Sequence, residues 1–302
     1  MKALALLALV AAARASAAAP PAGAEIEVWV RGDAHPERGA PARLRTRRFN
    51  LDRLPLVESE RPDAQYGETF RYRGVAVRDL LDRYAPDKPL DLAILHFANG
   101  MAIPIPFRDA AAMKRLDPFV ARALRSPRRA RLQVNGFPPV SHKDASGERR
   151  PIEFSGNKLV VAERWHPEVP SGRESEFSPW VYVDTLTGIE LVTARAYYAR
   201  FEAGTEVTVR RGLALFRENC QFCHGVRHVG ASFGWDFVDA PAIRGYRESA
   251  AHLYHNVAVK PRNAGQLGLM MPALAFLSEP DAAALRDWLT AISDRPTDAG
   301  SK

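Results

Sequence analysis

The chain has 302 residues, of which 46% are hydrophobic and 25% charged, with a formal net charge of +7. That apolar share is ordinary for a globular protein, and the length suggests two domains. Cys220 and Cys223 are its only cysteines, so no thiol remains for a separate disulfide or a second Cys-x-x-Cys zinc pair.

The chain opens with a positive start, Met1-Lys2, and an unbroken apolar run from Ala3 to Ala13. Small residues follow, with Ala15-Ser16-Ala17 or Ala17-Ala18-Ala19 as cleavage patterns. A bilayer span needs about 20 apolar residues, so this run is too short to cross one. It reads as a signal peptide over residues 1–19, which implies export to a periplasm and no membrane span after cleavage. Residues 21–200 then carry 29 basic and 24 acidic side chains, whereas residues 201–302 carry 11 of each. Arginines cluster at 43, 45, 47 and 48 and again at 122, 125, 128, 129 and 131. In an exported chain these read as a solvated face, or as a docking surface for an acidic partner, and not as a nucleic-acid site.

In chain order, Glu25 to Val30 alternates like a strand. Val75 to Tyr84 has helical spacing at Val77, Leu80, Leu81 and Tyr84. Leu92–Phe97 and Met101–Ile105 read as two strands joined at Asn99-Gly100, a hairpin dipeptide. Further strands are expected at Leu159–Ala162, Trp180–Leu186 and Gly188–Ala194. Mostly strand with a few helices implies an α+β domain over residues 20–200. Its histidines, His35, His96, His142 and His166, are scattered and form no triad at recognisable spacing.

Four phrases of this region resemble the molybdopterin-binding domain of the sulfite oxidase family. They run Phe70 to Leu81, Ala98 to Asp109, Ser178 to Val183, and Gly188 to Leu191. The family binds its metal through a cysteine thiolate, and residues 1–219 contain none. A molybdenum-dithiolene centre would lack its soft protein ligand. The resemblance therefore implies a scaffold, with a molybdenum cofactor not expected.

From residue 201 the pattern turns helical. Val209 to Asn219 sets Gly212, Phe216 and Cys220 four residues apart, on one helical face. Cys220-Gln221-Phe222-Cys223-His224 is the spacing of a c-type haem attachment site. Two thiols three residues apart can form thioethers to the haem vinyl groups, and the following imidazole can rise to the iron. A thioredoxin-like redox pair, half a zinc site and a local disulfide are the competing readings. A helix is expected over Glu248–Asn256. Met271 stands before Pro272, which pushes it away from helical geometry and suits a side chain reaching across to iron. Ser278-Glu279-Pro280-Asp281 starts a last helix, with Ala284, Leu285, Trp288, Leu289 and Ile292 as its apolar stripe. The two terminal helices are expected to cross, with Trp288 near Gly212 and Phe216.

Residues 205–295 resemble a class I monohaem cytochrome c. The resemblance implies an all-α domain over residues 201–296, followed by a tail at 297–302. It makes Cys220 and Cys223 the thioether residues, His224 the proximal ligand and Met271 the distal ligand. Met270 beside it, and His252 and His255, stay open as distal alternatives. The expected fold is thus an α+β domain plus an all-α domain. The expected function is transfer of single electrons to or from a redox partner such as a dehydrogenase, an oxidase or another cytochrome, with the N-terminal region as a docking or regulatory module. An oxidoreductase whose N-terminal region binds a pterin or small substrate, and a haem-based sensor of gas ligands, are the alternatives.

Overall fold

The structure is a computed structural model that describes residues 25–31, 43–64, 68–84, 89–124, 157–169, 178–183, 185–259, 263–264, 269–271 and 273–294. The expected signal segment, His35, His142, Arg125, Arg128, Arg129, Arg131, Pro272 and the tail lie outside the described residues.

Strand β1 (Glu25–Arg31) turns Ile26, Val28 and Val30 into the core, as its alternation requires. It pairs antiparallel with β2 (Arg43–Asn50), whose first six residues are exposed. Arg43 lies over the Trp29 ring at 4.3 Å and Arg47 over Phe49 at 4.9 Å, so arginine stems cover aromatic surface there. Strands β3 (Val57–Asp63) and β4 (Glu68–Ala76) are antiparallel, and β4 runs directly into α1 (Val77–Tyr84). The hairpin β5 (Leu92–Phe97) and β6 (Ala102–Ile105) turns at Gly100, where φ is +90° and glycine avoids strain. Next come α2 (Ala110–Leu116), capped by the Asp109 carboxylate, then β7 (Phe119–Leu124), β8 (Lys158–Val160), β9 (Leu186–Val192) and α3 (Ala194–Tyr198).

These strands form two sheets, one ordered β2-β1-β9-β5-β6 and the other β3-β4-β7-β8. In the first, β1 and β9 are parallel and the remaining pairs antiparallel. The strand expected at Trp180–Leu186 is instead a 3₁₀ turn over Pro179–Tyr182, followed by an isolated bridge from Thr185 to Lys158 and by β9 from Leu186. Pro179 has no N–H to give a ladder, and the Trp180 indole N–H is spent on the Trp165 carbonyl at 2.9 Å.

Beyond residue 201 the elements are α4 (Val207–Asn219), β10 (Gly225–Val226), β11 (Val229–Gly230), α5 (Arg244–Glu248), α6 (Ala250–Tyr254), β12 (Asn263–Ala264), β13 (Leu269–Met270) and α7 (Glu279–Asp294). The helix expected over Glu248–Asn256 is interrupted. Ser249 is extended, its hydroxyl accepts the His252 N–H at 3.2 Å to start α6, and a π-helical turn over His255–Val259 follows.

The expectation of an α+β domain joined to an all-α domain is corrected. The chain is a mixed α/β structure with sheets, and its C-terminal part carries two ribbons, β10–β11 and β12–β13, among its helices. Arg227 and His228 adopt left-handed φ values of 51° and 61°, and Gly230 one of 98°, so this stretch turns back on itself instead of continuing a helix. The apolar core also runs on from sheet residues such as Ile94 and Leu191 through Phe201 to Phe216 and Trp288.

The α4–α7 crossing occurs where the glycine allows it. A Cβ at Gly212 would strike the Ala284 carbonyl and come within 2.6 Å of the Trp288 Cβ. Phe216 and Trp288 stack at 4.6 Å, and the Trp288 indole donates to the Phe201 carbonyl at 2.8 Å. At the start of α7, Ser278 donates its N–H and hydroxyl to Asp281, which closes the expected cap.

Candidate haem attachment site

The C-terminus of α4 delivers the motif. The Cys220 N–H bonds the Phe216 carbonyl at 2.8 Å, and the Cys223 and His224 N–H groups both return to the Cys220 carbonyl, at 3.1 and 2.9 Å. One turn therefore gathers both thiols and the imidazole. Both cysteines are free, and burial pushes each thiol up to about 12. Thiols so strongly protonated at neutral pH fit neither an activated nucleophile nor a low-pKa redox pair. The strand-helix setting of a thioredoxin-like pair is also missing here, because the motif follows a helix.

His224 is held from three sides. Its Nδ1 lies 2.8 Å from the Trp235 carbonyl, which can only accept, so Nδ1 carries the proton and Nε2 the lone pair. Phe237 packs against the ring at 4.6 Å. A Cβ at Gly234 would come within 2.7 Å of Nδ1, so the ring lies flat on that glycine. Burial pushes the imidazole below its ordinary value, opposed by the Trp235 carbonyl, and favours the neutral ring that can ligate a metal. Trp235 itself is exposed.

Met271 is partly buried and borders the same apolar cluster as Cys223 and Phe237. It follows β13 directly, and the Leu274 N–H ties the next stretch to the Val257 carbonyl at 3.0 Å. Among the other histidines, His255 is exposed, whereas His252 packs against Tyr246 at 5.3 Å. Two free thiols and a tautomer-fixed imidazole on one turn are the donor types a c-type haem takes, and Met271 offers a thioether directly after β13.

No protein-family model matches the chain, and no curated protein matches it.

Three features escaped sequence reasoning. Gly234, Trp235 and Phe237 surround His224, but only the two aromatics and a glycine in a loop signal them. The two N-terminal histidines among the described residues, His96 and His166, both have partners. His96 Nε2 lies 3.1 Å from the Glu190 carboxylate, whose other oxygen pairs with the buried Arg31 guanidinium. Burial alone would raise Glu190, but His96 and Arg31 outweigh it and bring the carboxyl down to about 2. His166 is fully enclosed, with Nε2 on the Pro104 carbonyl at 3.0 Å and Nδ1 accepting the Glu168 N–H at 3.1 Å. Burial holds it near 3, hence neutral.

His228, Asp236 and Asp239 also converge. The Asp236 carboxylate, however, accepts backbone N–H groups from Arg227, His228, Val238 and Asp239 at 2.7–3.1 Å, so it builds the turn. Among the described residues no helix is long and apolar enough to cross a membrane.

Proposed function

We propose that the chain is an exported single-electron carrier whose one c-type haem is bonded to Cys220 and Cys223. In this reading His224 would hold the iron through Nε2 and Met271 would hold it through its thioether sulfur. The observation that carries it is the single turn joining two free thiols to an imidazole whose Nδ1–H is already committed to Trp235. When bound, the haem supplies a one-electron iron couple, with a potential raised by a thioether ligand.

The chain's own residues do the rest. The Trp235 carbonyl fixes the His224 tautomer and raises its basicity, as a second partner does for most metal-bound imidazoles. Gly234 and Phe237 hold the ring plane. The N-terminal half acts as the docking or regulatory module, and its excess of arginine favours an acidic redox partner through long-range steering.

Replacing Met271 with Ala tests the ligand set. The variant is expected to lose the thioether-dependent visible and near-infrared bands, to show a lowered midpoint potential and to bind carbon monoxide when reduced. An unchanged spectrum contradicts Met271. Carbon monoxide binding by the unaltered ferrous protein at neutral pH would favour a sensor, and stoichiometric molybdenum in the purified protein would favour a pterin enzyme.

A further inference from the structure

The five-stranded sheet ends at β6, and an edge strand normally leaves unpaired backbone groups. Here the haem motif occupies that edge. The Ala102 N–H donates to the Phe222 carbonyl at 3.1 Å, inside the Cys-x-x-Cys turn. Pro104 has no N–H, and its carbonyl is taken by His166. The Phe222 ring is 0% exposed and meets the His166 ring edge-on at 4.6 Å. A residue between the two thioether positions is therefore a plug in the N-terminal core.

A second contact lies one loop away. The Gly100 carbonyl at the β5–β6 turn accepts the Ser232 N–H at 2.7 Å, and the Gly234 N–H reaches the Cys223 carbonyl at 2.7 Å. The fit at Gly100 is tight, because a Cβ there would sit 2.9 Å from the Phe233 nitrogen. Gly234 and Trp235 in turn set the plane and tautomer of His224. A third tie is Arg217 on α4, which bonds the Glu168 carboxylate with Nε at 2.8 Å and lies over the Tyr198 ring at 3.7 Å.

We infer that the β5–β6 hairpin is a positioning clamp for the haem site, acting on the thioether turn through Phe222 and on His224 through Ser232 and Gly234. Gly100, Ala102, His166 and Phe222 are positioning residues in this inference, which rests on the haem reading above. The N-terminal half then does more than recruit a partner: it sets the orientation of the His224 imidazole that would hold the iron, and with it the potential. A hairpin built into one half holds the reactive turn of the other.

The test uses the full chain, exported and haem-loaded, with Gly100→Ala and Phe222→Leu as variants. Haem per chain, midpoint potential and amide exchange are read for each. The Ala102 and Ser232 amides of the unaltered protein should be protected with the sheet core. In both variants they should exchange at least about tenfold faster, and the midpoint potential should shift while haem stays at one per chain. Haem-loaded variants with unaltered potential and exchange would overturn the clamp. Absence of haem from the unaltered protein would refute the haem reading itself. Should Gly100→Ala fail to accumulate, Phe222→Leu decides, since it keeps an apolar plug and removes only the ring contact.

Discussion

Glu190 shows how much one buried side chain organises in the N-terminal half. It joins His96 on β5 to Arg31 on β1, and both bonds lower its pKa against the pull of burial. Glu190→Gln would leave Arg31 as a buried charge without its counterion. A loss of about 3 kcal/mol is expected, read as a lowered urea midpoint, whereas a loss below about 0.5 kcal/mol would mean that the pair is energetically idle. The pH dependence has a definite sign. His166 lies near 3 when folded, below its ordinary 6.5, so the unfolded state takes up the proton first. Stability contributed by His166 is present above pH 6.5 and drains away as pH falls toward 3. Glu190, at about 2 instead of 4.5, adds a second loss between those values. Stability should therefore be flat just above pH 6.5 and fall below it, and His166→Gln should flatten the upper part of that fall in denaturant titrations across pH. None of this was legible in the sequence. His96 and Glu190 are 94 positions apart, and only the β5–β9 register brings them together.

At the scale of elements, legibility followed the range of the forces. Helices α4 and α7 could be read because spacing and the Ser278–Asp281 cap are local signals, and their crossing followed from one glycine opposite one tryptophan. Gly212→Val should force the helices apart and destabilise the chain by about 3 kcal/mol or more. Gly245→Ala is the control, because a Cβ there meets only His252 ring atoms at 3.5 Å. It should leave the thermal midpoint unchanged or slightly raised. Equal effects of the two substitutions would refute the close-approach account. The β5–β6 hairpin was legible from Asn99-Gly100, but its contact with the haem motif was not, since backbone hydrogen bonds carry no residue-type signature. The 3₁₀ turn at Pro179–Tyr182 was misread as strand because its aromatic and β-branched residues have strand propensity, while Pro179 and the Trp180 indole bond decide otherwise. The ribbon at Gly225–Gly230 was missed because Arg227 and His228 take left-handed conformations without being glycine, held there by Asp236.

At the scale of the whole molecule, the continuous apolar core and the β6–Phe222 contact join the sheet half to the haem-motif half. Heating should therefore unfold both together, with far-ultraviolet ellipticity and haem absorbance sharing one midpoint. Two separated transitions would contradict that coupling. The basic side of the molecule is partly self-satisfied: Arg43 and Arg48 both pair with Glu27, and Arg47 donates to the Arg83 carbonyl. The two cysteines remain the centre of the account, because in the proposed reading a covalent haem on them would make the surrounding geometry a redox site. The most direct test is the intact mass of the exported chain under denaturing conditions. One haem should remain bound per chain, and neither thioether should form in a Cys220→Ala, Cys223→Ala double variant. A chain whose mass is that of the polypeptide alone would contradict the account.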